Sequence, residues 1–262
     1  GGILEGNLDD AIINVNTDTA PLFSTVSNSF ITFPKIAAVD NTNAFSTSGW
    51  INANASQTAN NWLWGTDDGA YVQLDSSGHF ILKVKKSDNS AWQTVTGATD
   101  LRGLGWVHVG AVCTSSNMIV YVNGVQDGIT TASITARAGA STGYIGAKAS
   151  NDDQYEGLIA DIKMYSASLT QPQMSELTSK INLDPTTTSF STGDLEAWWK
   201  LNSFGSGNTS QTTLNADDTA SPDSFFPTGT DSEGTSGGGL LWDRDAFSVN
   251  VQDHTTTTDG SV

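Results

Sequence analysis

The chain has 262 residues, with 28 acidic and 11 basic side chains and a net charge of −17. That balance excludes nucleic acid and anionic membrane surfaces as direct partners. Phosphate binding depends on clustered lysine and arginine, and the one local cluster is Lys83, Lys85 and Lys86. Cys113 is the single cysteine, so an intrachain disulfide is excluded, and a chain of this length builds a sizeable core without one.

Residues 1–28 mix Ile and Leu with Asn, Asp and Thr, and read as an N-terminal arm with one strand, Ala11 to Val15. From Ser29 the pattern is densely β. The expected strands are Phe30 to Pro34, Phe45 to Ile51, Trp62 to Trp64, Tyr71 to Leu74, Phe80 to Val84 and Ala91 to Val95. Trp106 to Cys113 and Met118 to Val122 continue the series, with Gly, Asn, Asp or Ser between most runs, the spacing of a sandwich. Asn123-Gly124 is a strong hairpin signal, because both residues tolerate φ > 0. A strand from Tyr155 to Tyr165 leads into the one helix, Gln171 to Lys180. Thr170 serves as its N-cap, Pro172 lies in its first turn, and Met174, Leu177 and Ile181 share one face. Val107, Val109, Val112, Ile119, Ile145, Ile159 and Met164 are the expected core.

Beyond Leu183 a Pro/Thr/Ser linker, Asp184 to Thr192, precedes a strand-like run, Leu195 to Leu201. Residues 202–262 read as an extended C-terminal arm with apolar islands at Phe225-Phe226 and Leu240-Leu241-Trp242. Such islands are too small to form a core alone and costly to leave in water. They are therefore expected to meet other chains, the competing account being that the tail covers a sheet edge of its own sandwich.

Four blocks appear in a recognisable order: Trp106-Val107-His108-Val109-Gly110, Tyr121-Val122-Asn123-Gly124, Tyr144-Ile145-Gly146, and Gly157 through Asp161 and Tyr165 to Thr170. In sequence and order they resemble the laminin-G-like, concanavalin A-like jelly-roll domains. The resemblance covers about Ser29 to Leu177. It implies an all-β concanavalin A-like jelly-roll sandwich with extended arms: an arm at 1–28, the sandwich at 29–201 and an assembly arm at 202–262. A run like Leu195 to Leu201 opens the domain in that family. Here it is read as the first strand in permuted order, in preference to the start of a second copy.

Some relatives of this sandwich are glycoside hydrolases, which need two carboxylates across the scissile bond. The usual Glu-x-Asp-x-x-Glu run is absent, and the odd spacing of Glu156 and Asp161 points them to opposite faces of an uninterrupted strand. No enzyme activity is expected. No cofactor is required. Calcium is the candidate metal, since the fold often binds it at a loop rim, with Asp161, Asp152 and Asp153 as candidate ligands and Asp67-Asp68 as substitutes. Ala160 departs from the family's aspartate at that position. His79, His108 and His254 show no zinc spacing.

Eight tryptophans invite a carbohydrate reading. Trp50 and Trp106 stand at family strand positions and are assigned to the core. Trp62, Trp64, Tyr71, Trp92 and Tyr155 lie near loops and are the candidate ligand-binding residues. Trp198 and Trp199 are adjacent, so one ring points inward and the other outward toward another chain. With Phe225, Phe226, Leu240, Leu241 and Trp242 they form the candidate assembly contacts.

The resulting expectation is a non-enzymatic structural protein of a virus particle, such as a phage capsid decoration, spike or fibre component, with glycan-binding capacity. It places the chain at the virion surface, partnered by other virion subunits as a homo-oligomer or bound to a capsid. Short Ser/Thr/Asn-rich chains of this kind resemble those of marine tailed phages. The lack of a disulfide and of an export signal fits assembly in a host cytoplasm. The alternative is a secreted or surface-attached bacterial carbohydrate-binding or adhesion module.

Overall fold

The computed structural model describes residues 20–23, 30–36, 39–88, 90–132, 134–139, 142–148, 153–179, 181, 183, 185–190, 192–201 and 241–243, the last three through their backbone. Its first strands are β1 (Ala20–Phe23), β2 (Ile31–Pro34), β3 (Phe45–Ala53), β4 (Asn61–Thr66), β5 (Ala70–Leu74), β6 (His79–Lys85) and β7 (Trp92–Asp100). They are followed by β8 (Trp106–Cys113), β9 (Asn117–Val122), β10 (Val125–Thr131), β11 (Thr142–Ile145), β12 (Gly157–Tyr165), β13 (Leu195–Trp199) and β14 (Leu241–Asp243). Among the described residues these strands form two antiparallel sheets. The eight-stranded sheet has the order β10-β9-β8-β3-β12-β1-β14, with β13 also paired to β12, and the six-stranded sheet has the order β2-β11-β4-β5-β6-β7. The chain is an all-β jelly-roll sandwich.

Alternation along each strand sends one set of side chains between the sheets. Ile51, Val107, Val109, Val120 and Ile159 from one sheet meet Phe33, Val72, Leu74, Leu82 and Ile145 from the other. Trp64 spans the gap. Its indole N–H donates to the Thr47 hydroxyl at 2.7 Å, and its ring fills the space that Gly49 leaves empty. Of the expected core residues, Ile119 is half-buried and packs on the outer cluster, while the other six are buried.

The helix is shorter than its periodicity predicts. It covers Gln171–Glu176 (α1), with Thr170 before it and Leu177 as its C-cap. The Thr170 N–H donates to Gln173 Oε1 at 2.8 Å, which satisfies an end group of the first turn. At the other end Thr178 donates both its N–H and its hydroxyl to the Ser175 carbonyl, a local bond that competes with helix continuation. Met174 of α1 packs with Val112, Tyr121, Tyr165 and Trp198 on the outer face of the eight-stranded sheet.

The expected strand at 11–15 lies outside the described residues. A strand at Ala20–Phe23, within the stretch read as an arm, pairs with Gly157 and Leu158 of β12. The run after the linker also joins this sheet, with Ile162 opposite Trp199 and Tyr165 opposite Leu195, so it supplies a strand of the same sandwich. Phe225, Phe226 and Leu240 lie outside the described residues. Leu241 and Trp242 pair through their backbone with Leu22 and Pro21, on the edge of their own chain's sheet.

Candidate functional site

The outer face of the six-stranded sheet carries a row of aromatic rings. On β5 Val72 and Leu74 point inward, so Tyr71 and Gln73 point out. On β4 the register slips between Trp62 and Trp64, whose partners are Gln73 and Val72. This irregularity turns Trp62 outward while Leu63 and Trp64 both enter the core. Trp62 stacks on Tyr71, with ring centroids 4.1 Å apart and planes at 20°. Tyr71 meets the edge of Trp92 at 5.2 Å and 72°. The Trp62 indole N–H donates to the Tyr144 carbonyl at 3.0 Å, and its backbone N–H donates to the Asp153 carbonyl at 2.6 Å.

Two lysines of β6 border these rings. Lys83 is the cross-strand partner of Tyr71, and Lys85 that of Trp92. The Lys83 ammonium lies 5.9 Å from the Tyr71 centroid and the Lys85 ammonium 5.3 Å from that of Trp92. Tyr71, Trp92, Lys83 and Lys85 are all half-buried. Burial, then the carboxylates of Asp153 and Asp67, push the Tyr71 hydroxyl up to about 12, so it stays a neutral donor. The face therefore offers two ring surfaces, a phenol and two ammonium groups.

Of the expected ligand-binding residues, Tyr71 and Trp92 are half-buried on this outer face, whereas Trp62, Trp64 and Tyr155 are fully buried. Trp62 forms the floor beneath Tyr71. Trp64 belongs to the core between the sheets, and Tyr155 packs there beside Phe23. The assignment of Trp50 and Trp106 to the core is also corrected. Both are half-buried on the outer face of the eight-stranded sheet, beside Leu158, Ala160 and Ile181. Lys83 and Lys85, which border this candidate face, were not singled out as site candidates from the sequence. Their signal was the period-two pattern Lys83-Val84-Lys85, which puts both ammonium groups on the face that Val84 avoids.

Asp161 is corrected as a calcium ligand. The register of β12 shifts between Ala160 and Lys163, and Asp161 takes φ 55° at that irregularity. This turns its carboxylate away from the inter-sheet core to the outer face, where it forms with Lys163 an ion pair that is buried at both ends. The Trp198 indole N–H donates to the same carboxylate at 2.7 Å. A carboxylate neutralised by an ammonium and closed off from water does not suit a loop-rim metal. Asp153 is exposed, Asp152 lies outside the described residues, Asp67 is held by Lys148 at 3.5 Å and Asp68 by Arg137 at 3.3 Å. Among the described residues no three His, Cys, Asp or Glu side chains group to hold a metal ion.

The adjacent tryptophans divide as their alternation demands, yet neither is exposed. Trp199 enters the core, 4.5 Å from Phe33 between centroids. Trp198 faces out but is buried under the α1 cluster, with the ammonium groups of Lys163 and Lys200 over its ring at 5.1 and 4.5 Å. That ring is thus not an outward contact. Cys113 lies in the core, its thiol pushed up to about 11 by burial, while His108, five residues earlier, points to the opposite face. Among the described residues no helix is long and apolar enough to cross a membrane.

Two antiparallel sheets packed face to face define a jelly-roll β-sandwich. Residues 25–175 match the family model of the concanavalin A-like lectin/glucanases superfamily, and the chain belongs to that family. Among solved structures, a Bacteroides ovatus protein classed provisionally as carbohydrate binding superposes with a TM-score of 0.54 at 17% identity. The match covers 70% of this chain and 51% of that one, so this chain spans about half the length of the Bacteroides protein. A heptameric serum-amyloid-P-like pentraxin from Limulus polyphemus gives 0.48 at 16% identity over 63% of this chain and 83% of its own. Domain 4 of an extracellular arabinanase from Geobacillus stearothermophilus, solved with arabinotriose, gives 0.44 at 22% identity over 54% and 69%. No curated protein sequence matches the chain.

Proposed function

We propose that this chain is a non-enzymatic glycan-binding module whose contact surface is the Tyr71–Trp92 face of the six-stranded sheet. The observation that carries this reading is the ring row itself: half-exposed aromatic surfaces held rigidly on neighbouring strands suit stacking against sugar rings. The fold shared with the Bacteroides protein classed provisionally as carbohydrate binding agrees with it. The central strands β4, β5 and β6 contain no Asp or Glu, which favours binding over glycoside hydrolysis on this face.

The test is a titration of the full chain against a glycan panel, with Tyr71→Ala and Trp92→Ala variants. A bound glycan should lose at least tenfold in affinity in either variant, about 1.4 kcal/mol, while Trp50→Ala on the opposite sheet leaves it unchanged. Equal affinities in all three variants would remove the site.

We further infer that the module is displayed on a larger assembly, a virus particle in the first reading and a bacterial cell surface in the second. The pairing of β14 with the β1 edge of its own chain favours the competing account, in which the tail covers an edge of its own sandwich, so this reading rests on the sequence resemblance and on the length of the C-terminal segment. Electron microscopy of the native source would show the chain on a symmetric shell under the first reading and on a cell envelope under the second. A free monomer would refute both.

A further inference from the structure

We propose that the Tyr71–Trp92 face selects anionic saccharides, whose pyranose rings carry a carboxylate or a sulfate. The inference rests on the glycan-binding reading and adds the substrate class. It comes from an imbalance of charge. Acidic side chains outnumber basic ones 28 to 11, so a lysine in this chain has many carboxylates available to it. Lys35, Arg102, Arg137, Lys148 and Lys163 each hold one within 3.5 Å. Lys83, Lys85, Lys86 and Lys200 hold none within 4 Å among the described residues; of these, Lys83 and Lys85 stand over the rings of the Tyr71–Trp92 face, and Lys200 over the buried Trp198. Two cations without a counter-charge, side by side on an acidic molecule, leave room for an anion brought by the ligand.

The surroundings set an orientation. Asp67 and Asp153 act on the Tyr71 hydroxyl from the β4 side, and Lys148 partly offsets Asp67. Lys83 and Lys85 flank the rings from the β6 side, and Thr94, the cross-strand neighbour of Lys83, is exposed there with its hydroxyl. The anionic substituent therefore belongs at the Trp92 end, with the uncharged part of the sugar toward Tyr71. The overall negative charge does not forbid this. At 0.15 M salt the screening length is about 8 Å, so distant carboxylates are damped while groups in direct contact are not.

The experiment is calorimetry at 0.15 M salt on the full chain with oligogalacturonate, a heparin-derived oligosaccharide and cellohexaose. Wild type is compared with a Lys83→Gln/Lys85→Gln double variant and with Trp92→Ala. Glutamine keeps part of each aliphatic stem over the rings, and melting temperatures check that the variants fold. The expected result is binding of at least one anionic oligosaccharide in clear preference to cellohexaose. That binding should fall about tenfold in the double variant and in Trp92→Ala, and the carboxylated and sulfated arms identify the anion. Cellohexaose binding as tightly as the anionic sugars, or the double variant leaving affinity unchanged, overturns the charge inference. Glycan binding itself survives that outcome if Trp92→Ala still weakens it. Failure of all three saccharides to bind, or indifference to Trp92→Ala, removes the site and the proposal together.

Discussion

His108 sits on the outer face of β8, 1% exposed, edge-on to Trp50 at 5.4 Å. Burial first, and the Lys163 ammonium second, pull its pKa down from 6.5 to about 3. The folded ring is therefore neutral at pH values where the unfolded chain takes up a proton. This contribution to stability is fully present above about pH 6.5 and is lost as pH falls toward 3, at up to about 1.4 kcal/mol per pH unit. By pH 5 about 2 kcal/mol should be gone. Denaturant midpoints for wild type and His108→Gln at pH 7, 6 and 5 check this, because the carboxylates common to both cancel in the comparison. The variant should show the flatter dependence, and parallel curves would mean that His108 titrates normally. At this scale the sequence was only partly legible. Alternation correctly placed His108 and Cys113 on opposite faces, whereas Tyr71 and Trp92 were singled out only by their nearness to loops. Nearness to loops misjudged Trp62 and Trp64, and the family block misjudged Asp161; one-residue slips in β4 and β12 set where these side chains point, and such slips depend on the partner strand rather than on local residue order.

At the scale of elements, the β9–β10 hairpin shows what local signals do and do not convey. Asn123 and Gly124 adopt φ 47° and 74°, the two-residue turn that Asn-Gly predicts. Asn123 Oδ1 also accepts the His108 N–H at 3.0 Å and ties the turn to β8. What the motif does not announce is that α1 docks here. A Cβ on Gly124 would stand 2.6 Å from Ser175 Cα, a backbone atom that cannot rotate away. Gly124→Ala thus combines left-handed strain with overpacking, and should lower stability by about 2–4 kcal/mol. Asn123→Asp, which keeps the acceptor and tolerates φ > 0, should cost far less. Chemical denaturation of both variants distinguishes the accounts, since equal losses would mean that the helix is free to move aside. The same limit explains the helix length. Met174, Leu177 and Ile181 have the right spacing for a longer helix, but Thr178 bonds back to Ser175 and closes the turn early.

For the whole molecule, the decisive question is where the cooperative unit ends along the chain. The larger sheet draws its strands from distant parts of the sequence: β12 is bordered by β3 on one side and by both β1 and β13 on the other. The four sequence blocks identified the fold but gave no measure of how strongly the segment after the linker is built into it. Trp199 and Leu201 enter the core, and Trp198 donates to the buried Asp161 carboxylate beside Lys163. Truncating a large buried side chain to alanine costs about 2–5 kcal/mol, and leaving a buried ion pair without its cover adds to that. Removing all three residues therefore approaches the whole 5–15 kcal/mol by which a domain is stable. Beyond Leu201, the described residues Leu241–Asp243 add to the β1 edge through three register pairs, outside the core that Trp199 and Leu201 enter. A chain ending at Leu201 should remain folded, with a cooperative melt close to that of the full chain. One ending at Phe190 should be unfolded or insoluble. Circular dichroism and thermal melts of the two truncations decide the boundary, and gel filtration of the longer one against the full chain reports whether residues 202–262 carry assembly. If the chain ending at Leu201 fails to fold while the full chain does, the tail is part of the sandwich and its proposed role as an assembly arm falls.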